Sequence, residues 1–282
     1  MIEHGASGAL TEKNWLLEML KKFDHPSTAL WRAVEARHIQ ALLSEMVFEA
    51  PILDLGCGNG KFSSAIFAPE KLDIGLDTSE WDIARAGQST VYETVMVGDA
   101  RCLPFQNESF NVVFSNCVLE HIRRIDEVLN EVSRVLKADG AFIFTAPSDS
   151  FGDYLFVHVF LETIGLKKFA RWYSKKRNQL LNHYNCYDPM TWKHKIMNVG
   201  LNVLKARYYL SKSTVEIWDF WAICIFLLRI LGVFKTRASA LLLSKSRKIR
   251  ISVFRRILYG YYSQNRETGG ALLIVAKRTK NK

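Results

Sequence analysis

The sequence predicts an α/β fold in which seven mostly parallel strands form one sheet with helices on both faces. Two observations predict it: short apolar runs alternate with segments of helical periodicity, and the early runs each end at a glycine or an aspartate. Strands that alternate with helices are typical of parallel sheets whose two faces are covered. Ligands bind beyond the carboxyl ends of such strands, so the residues at those ends are site candidates.

Apolar residues at helical spacing precede the first strand, over residues 11–48, and predict N-terminal helices. The predicted strands follow at 52–55, 72–76, 91–97, 110–114, 141–146, 201–210 and 270–277. Helices are predicted at 61–67, 80–86, 125–136 and 190–198, with further helices within 151–183. A helical insertion separates the last two strands.

These elements predict four segments of the chain. We expect an N-terminal helical cap over 1–49, a ligand-binding core over 50–211, a basic amphipathic helical insertion over 212–267, and the final strand with a tail over 268–282.

The 282-residue chain has a formal net charge of +10, which is unevenly placed. Eleven basic residues lie between positions 212 and 266, against only two acidic ones, Glu216 and Asp219. Such a segment predicts a polyanionic partner, a membrane or a nucleic acid, for one region of the molecule. The five cysteines are scattered without a C-x-x-C pair, and the N-terminus has no secretory signal pattern. We therefore expect a cytoplasmic protein with reduced thiols and no metal site.

A glycine-rich turn follows the first predicted strand. Residues 54–60 read Asp-Leu-Gly-Cys-Gly-Asn-Gly and lie between a strand and a helix, where glycines let backbone amides approach a ligand closely. The spacing is G-x-G-x-G, whereas a dinucleotide site requires G-x-G-x-x-G, so a nicotinamide-dependent dehydrogenase is disfavoured. Asp77 ends the second strand, where a carboxylate can accept both hydroxyls of a ribose. Asp99 ends the third, where it could accept from an adenine amino group.

Four sequence blocks occur in order between residues 50 and 148: PILDLGCGNGKF, IGLD, GDARCLPFQNESFNVVFSNCVLEHI and EVSRVLKADGAFIFTAPS. Together they resemble the class I S-adenosylmethionine-dependent methyltransferases, in particular the small-molecule type called methyltransferase type 11. A weaker likeness extends to residue 210 and over the last strand. The resemblance implies a Rossmann-like fold, S-adenosyl-L-methionine as the cofactor, and methyl transfer as the reaction. The sequence departs from the family at Asn111, where aspartate is usual.

By this resemblance, the glycines would line the methionine side of the cofactor, Asp77 would bind its ribose, and Asp99 with Ala100 its adenine. The cofactor-binding residues that it implies are Asp54, Gly56, Cys57, Gly58, Gly60, Asp77, Asp99, Ala100, Asn116 and Cys117. Taken alone, the glycines would fit any tight turn, the aspartates could cap helices, and the cysteines could be packing residues. The four blocks in order favour the binding site.

Methyl transfer to a hydroxyl requires a base whose pKa lies near the working pH, and histidine is the usual choice. The catalytic candidates are His121 in the LEHI block, and His183 and Tyr184 in a polar, aromatic run that commonly covers the substrate pocket in the resembling family. His194 is a further candidate for the base, and Tyr187 for an orienting group. The alternative is that these side chains only pack and cap their elements.

The basic insertion predicts surface helices instead of a membrane-spanning helix. Its longest uncharged apolar stretch, residues 220–228, is well short of the ~20 residues that span a bilayer. Ile249, Val253, Ile257 and Tyr261 fall one turn apart with basic residues between them. Basic amphipathic helices bind anionic membrane surfaces, so we expect peripheral docking on the inner leaflet and a small-molecule or lipidic acceptor. A helical lid or a homodimer interface is the alternative.

Two other functions, RNA methylation and a non-catalytic scaffold, are alternatives to small-molecule methylation. The charge would also suit RNA, but residues 115–118, Ser-Asn-Cys-Val, lack the Asn-Pro-Pro-aromatic motif by which the resembling nucleic-acid enzymes hold a flipped base. A non-catalytic methyltransferase-like scaffold would have no physical need of the glycine loop together with both acids. The sequence therefore disfavours both.

Overall fold

The computed structural model describes residues 12–46, 48–230, 247–263 and 269–279. Its strands are β1 (Ile52–Leu55), β2 (Leu72–Asp77), β3 (Tyr92–Val97), β4 (Phe110–Asn116), β5 (Leu136–Pro147), β6 (Leu201–Tyr209) and β7 (Ala271–Arg278). Its helices are α1 (Glu12–Lys22), α2 (Pro26–Leu43), α3 (Lys61–Phe67), α4 (Glu80–Ala86), α5 (Ile125–Val135), α6 (Phe156–Thr163), α7 (Lys167–Leu180), α8 (Pro189–Met197), α9 (Lys212–Ile230) and α10 (Arg247–Ser263). Short 3₁₀ turns lie at Leu119–His121 and Asp149–Tyr154.

The strands form one seven-stranded sheet in the order β3-β2-β1-β4-β5-β7-β6. Strands β1 to β5 pair in parallel, whereas β7 is antiparallel to both β5 and β6. The chain runs outward from β1 through β2 to β3 and then returns to place β4 on the other side of β1. Ligands bind at such a reversal of strand order. The predicted Rossmann-like fold, with N-terminal helices and a helical insertion before the last strand, is confirmed.

Helices cover both faces of this sheet. One apolar cluster joins α1, α2, α9 and α10 to the first face, where Leu16, Leu30 and Leu258 are fully buried. A second cluster joins α5 and α8 to the other face through Val132 and Ile196. Burying each such side chain contributes about 1.5–3 kcal/mol, so the N-terminal helices and the insertion belong to the same core as the sheet. As domains, the four segments delimited from the sequence remain a proposal.

Helix α9, the first part of the insertion, is anchored by a buried acid. Asp219 is fully buried and accepts hydrogen bonds from the Tyr173 hydroxyl and from Arg177 Nε of α7, both at 2.9 Å. An acid in the middle of an apolar helix is therefore explained by packing against α7. None of the described helices combines the length and the apolarity needed to cross a bilayer.

Helix α10 has apolar residues on two faces. Leu258 and Tyr262 are buried, and the helix packs against α1 and α2. Val253 and Ile257, from the apolar face identified in the sequence, are 47% and 45% exposed instead of packed inside. Some of the basic residues counted in the insertion lie outside the described residues, namely Lys235, Arg237, Lys245 and Arg266.

Candidate active site

A cavity of about 770 Å³ lies beyond the carboxyl ends of β1, β2 and β4. Its volume is in the range of small-molecule sites, about 300–1,000 Å³. Most of the residues predicted for the site line it: Asp54, Gly56, Cys57, Gly58, Asp77, Asp99, Ala100, Asn116, Cys117, His121 and Tyr184. The two exceptions are Gly60, which is the N-cap residue just before α3, and His183, whose ring lies beside that of His121.

The glycine loop after β1 has the backbone conformation that the sequence motif requires. The amides of Gly56 and Cys57 donate to the carbonyl of Leu76 at 2.7 and 3.0 Å, which ties the loop to the end of β2. Gly56 has φ +77°, and a Cβ there would lie 2.3 Å from a methyl carbon of Val118. Gly58 has φ +52°, but a Cβ there would meet no atom within 4 Å. The space beside Gly58 is therefore open to a ligand that approaches the backbone.

Two aspartates, Asp77 and Asp54, flank this loop in the sequence and are held by different partners. Asp77 accepts from the Gly58 amide through Oδ2 and from the Ser79 amide through Oδ1, both at 2.9 Å. Asp54 is buried, and its Oδ2 accepts from the hydroxyls of Ser63 at 2.5 Å and Tyr92 at 2.6 Å. Burial raises the pKa of Asp54 to about 6, although these two hydrogen bonds oppose the shift. Asp77 therefore reaches the cavity as a fixed acceptor, and Asp54 ties β1 to α3 and β3.

Asp99 lies after β3 and is paired with a neighbouring cation. Arg101 Nη2 donates to Asp99 Oδ2 at 2.5 Å, and Arg101 Nε donates at 3.0 Å. The hydrogen bond from Arg101 lowers the pKa of Asp99. An adenine amino group would have to share this carboxylate with Arg101, and the adenine-binding role of Asp99 remains a prediction.

The cavity wall beyond β4 depends on an acid of α2 that the sequence analysis missed. Glu35 is fully buried, pairs with Arg32, and accepts from Asn116 Nδ2 and Cys117 Sγ, both at 3.2 Å. The Tyr209 hydroxyl, at the end of β6, donates to it at 2.5 Å. Burial opposes the charge on Glu35, but Arg32 and the hydrogen bond from Tyr209 outweigh it and lower its pKa.

Asn116 and Cys117 are thus held by Glu35 and do not point freely into the cavity. The signal that could have revealed Glu35 is its position: it lies one turn after Trp31 and one turn before Ile39, both of which are buried. An acid on the apolar face of a helix requires buried partners. Its partners could not be identified from the sequence because they lie in distant segments.

Two of the three catalytic candidates, His121 and Tyr184, line the cavity, and His183 lies beside His121. The rings of His121 and His183 are 5.3 Å apart. Burial lowers the pKa of His121, and burial together with His121 and Arg177 lowers that of His183 to about 4. Tyr184 places its hydroxyl 3.3 Å from Arg123 Nη2, which donates to it. The fold therefore brings together residues that are about sixty positions apart, while their catalytic roles remain predictions.

A second buried acid, Glu120, lies beside these histidines. Its side chain is 2% exposed, and Glu120 Oε1 is 3.8 Å from His121 Nε2. Burial raises the pKa of Glu120 to about 8. The sequence analysis quoted this residue within the LEHI block but assigned it no role. His194, by contrast, is an exposed residue of α8 and does not line the cavity.

Comparison with known proteins explains the cofactor side of this geometry. Residues 53–144 match the family model described as a methyltransferase domain. The chain carries a class I, S-adenosylmethionine-dependent methyltransferase domain. Its resemblance to methyltransferase type 11 and its cofactor, both predicted from the sequence, are confirmed for this domain.

Relatives of the methyltransferase domain act in different reactions. The malonyl-[acyl-carrier protein] O-methyltransferase of Methylococcus capsulatus is 34% identical over 103 residues, which are 34% of this chain and 37% of that protein. The demethylmenaquinone methyltransferase of Symbiobacterium thermophilum is 32% identical over 113 residues, 37% of this chain and 45% of that protein. The chain thus matches less than half the length of these curated relatives.

The fold extends beyond the matched residues. A solved S-adenosylmethionine-dependent methyltransferase of Thermotoga maritima, described as a possible histamine N-methyltransferase, superposes with a TM-score of 0.55 at 17% identity. The superposition covers 88% of this chain and 89% of that one. At this identity the likeness shows the fold alone.

The cavity of the methyltransferase domain suits its cofactor. The open space beside Gly58 admits a ligand to the loop, and Asp77 presents a fixed carboxylate at the end of β2. When bound, S-adenosylmethionine supplies an electrophilic methyl group on its sulfonium. Asp77 would hold the ribose, Asn116 and Cys117 would contact the cofactor, and His121 would face the acceptor. These individual roles remain predictions.

Proposed function

We propose that this protein transfers a methyl group from S-adenosylmethionine to a small-molecule or lipidic acceptor at the cytoplasmic face of a membrane. The observation that carries the transfer is the cavity that the glycine loop and Asp77 share with His121 and Tyr184. A methyltransferase mainly has to align its donor with the nucleophile, and one shared cavity can hold both.

The relatives support an acceptor that is small or carried on a larger molecule. Their names specify a malonyl group on an acyl-carrier protein and a demethylmenaquinone, which are chemically unlike each other. The names of these relatives therefore do not identify the acceptor of this chain, which depends on the chain's own residues at the acceptor end of the cavity.

Calorimetric titration with S-adenosylhomocysteine tests the cofactor site. We expect micromolar binding to the wild type and at least about a hundredfold weaker binding to Asp77→Ala, because that variant loses a charged acceptor at the ribose position. Asp126→Ala is the matched control, since Asp126 is an exposed aspartate on α5 paired with Lys195, away from the cavity. A folded wild type that binds no S-adenosylhomocysteine would refute the proposed function.

The membrane part of the proposal rests on a surface that we call the α6–α7 face. Six large apolar residues of α6, α7 and the turn between them are 40–60% exposed: Phe156, Phe160, Ile164, Leu166, Phe169 and Trp172. Exposed basic residues alternate with them: Lys167, Lys168, Arg171, Lys175 and Lys176. Aromatic and aliphatic side chains beside basic ones are typical of helices that lie on anionic bilayers.

The α6–α7 face continues onto the basic insertion. Phe156 packs edge to face against Phe220 of α9, with ring centroids 5.3 Å apart. Farther along α9, Phe226, Leu227 and Ile230 are more than half exposed. The sequence analysis proposed docking through the insertion, and the exposed residues of α6 and α7 extend that proposal. The proposed partner of this face is an anionic lipid bilayer, because the basic side chains on the face complement acidic lipid headgroups.

Sedimentation with vesicles tests this docking. We expect the protein to sediment with vesicles that contain phosphatidylglycerol, and not with phosphatidylcholine vesicles. Phe169→Ala with Trp172→Ala should abolish it, and so should Lys167→Gln with Lys168→Gln. The control is Trp81→Ala, since Trp81 is 64% exposed on α4 under the guanidinium of Arg85. Wild-type protein that does not sediment with these vesicles at low salt would refute docking. A wild type that forms dimers, and a Trp172 variant that does not, would favour a homodimer interface instead.

A further inference from the structure

Three side chains of metal-binding types converge beside the acceptor end of the cavity. Glu120, His121 and His183 each offer one ligand atom, and these three atoms all lie within 4.8 Å of one another. His121 Nε2 and Glu120 Oε1 lie 3.8 Å apart, which is too long for a hydrogen bond. Atoms bound to one Zn²⁺ at about 2.0–2.2 Å lie up to about 4 Å apart, so small side-chain rotations would bring all three onto one cation.

Two of the polar atoms in this cluster have no hydrogen-bond partner within the described part of the chain. They are Glu120 Oε2 and His183 Nδ1, and both are buried from solvent. A buried polar atom without a partner costs about 1–3 kcal/mol. Two such atoms on adjacent side chains indicate a missing partner that accepts electron pairs from both, and a cation is such a partner.

The orientation of His121 fits the same interpretation. Its Nδ1 lies 3.2 Å from the carbonyl oxygen of Asn182, so the tautomer with a proton on Nδ1 donates to that oxygen. The lone pair of Nε2 is then free, on the side of Glu120. Histidines that bind metals usually donate their other N–H to a backbone carbonyl or a carboxylate in this way.

Hydrogen bonds join the two segments that carry these three side chains, and none of the bonds requires a metal. The Tyr184 amide donates to the carbonyl of Glu120 at 2.7 Å. Asn185 Nδ2 donates to the carbonyls of Leu119 and Ile122, both at 2.7 Å. These bonds fasten the loop that carries His183 to the 3₁₀ turn that carries Glu120 and His121. The protein should therefore fold metal-free, which makes binding measurable.

We propose that Glu120, His121 and His183 bind one divalent transition-metal cation of the Zn²⁺, Co²⁺ or Fe²⁺ type. Two imidazoles and one carboxylate suit these ions and leave coordination positions open. His121 also lines the cavity, so the open positions are placed to hold an oxygen of the acceptor. That last role rests on the proposed function, whereas metal binding itself does not. The proposal departs from the sequence analysis, which expected no metal site.

Cobalt provides the probe, because Co²⁺ bound by nitrogen and oxygen ligands absorbs visible light and needs no activity assay. Chelator-treated full-length protein is titrated with Co²⁺, and the stoichiometry is measured by equilibrium dialysis with Zn²⁺. We expect one equivalent to bind, with affinity at least about a hundredfold lower in Glu120→Gln and in His183→Gln. His194→Gln is the matched control, since His194 is exposed on α8 and outside the cluster. Circular dichroism verifies that each variant is folded.

The outcomes separate this proposal from the proposed function when S-adenosylhomocysteine is titrated into the same samples. Folded wild type that binds S-adenosylhomocysteine but no Co²⁺ overturns the metal site and leaves the methyltransferase proposal standing. Co²⁺ binding that persists in both cluster variants, or that His194→Gln removes, also overturns it. Cluster-dependent Co²⁺ binding without any S-adenosylhomocysteine binding supports the metal site and removes the proposed function.

Discussion

The two halves of the cavity differ in how far apart along the chain their residues lie. The cofactor half is built from β1, β2 and the residues after β3, so Asp54, the glycine loop, Asp77 and Asp99 all fall within one continuous stretch. The acceptor half joins α2, the turn after β4, the loop before α8 and the end of β6. Its hydrogen bond between Glu35 and Tyr209 spans 174 positions.

This difference decides what each half depends on. The cofactor half is fixed by a turn, two strand ends and short-range hydrogen bonds, and it should tolerate changes elsewhere. The acceptor half exists only when distant segments pack together, so one residue can disturb it as a whole. Changes in each half test this contrast, and we take them from the largest expected effect to the smallest.

The largest effect is expected from Glu35→Gln in the acceptor half. The neutral amide leaves Arg32 without its buried counter-charge and weakens the bonds from Asn116 and Tyr209. The free energy of unfolding should fall by about 3–5 kcal/mol, measured by urea denaturation. The control is Glu18→Gln, an exposed acid paired with Lys21 three residues along α1, which should cost less than about 1 kcal/mol. Equal losses of unfolding free energy in the two variants would contradict the proposed dependence of the acceptor half on Glu35.

Asp54→Asn tests the cofactor half through pH. The folded-state pKa of Asp54 is raised from 3.8 to about 6, so the fold favours its protonated form. The resulting stability is fully present below about pH 4 and is lost as pH rises through 6. Asparagine does not titrate, so the stability of the wild type relative to the variant should fall by about 2 kcal/mol between about pH 4 and pH 7. A difference that stays flat or rises across this range would contradict the buried position of Asp54.

The same contrast explains what the sequence could predict. The strands, the glycine loop and Asp77 were found because alternation and spacing are local signals, and the fold they predicted was confirmed. The partners of Asn116 and Cys117 were not found, since Glu35 lies 81 positions before Asn116 and no spacing rule connects them. The convergence of Glu120 with His183 was missed for the same reason: it depends on a loop that folds back over the turn after β4.

Two glycine variants separate folding from ligand binding within the cofactor half. Gly56→Ala combines a left-handed backbone with a Cβ that overlaps the methyl groups of Val118, and we expect a loss of about 3 kcal/mol in unfolding free energy. Gly58→Ala meets no atom, so it should cost only about 1 kcal/mol but should weaken S-adenosylhomocysteine binding, because its methyl group enters the cavity. Adding Val118→Ala to Gly56→Ala should recover the part due to overlap. Weakened folding without weakened binding in Gly58→Ala would place the ligand elsewhere.

The smallest effect on stability is expected at the far end of the cofactor half, from Asp99→Asn. The ion pair with Arg101 is about two fifths exposed and is screened by solvent, so its loss should leave the unfolding free energy nearly unchanged. Affinity for S-adenosylhomocysteine should still fall about tenfold, because the carboxylate is the expected acceptor for the adenine amino group. Arg101→Gln breaks the same pair and keeps that acceptor, so it should match the stability change and not the affinity change. If both variants weaken binding equally, the ion pair as a whole contributes to binding the adenine. If neither variant weakens binding, Asp99 does not contact the cofactor.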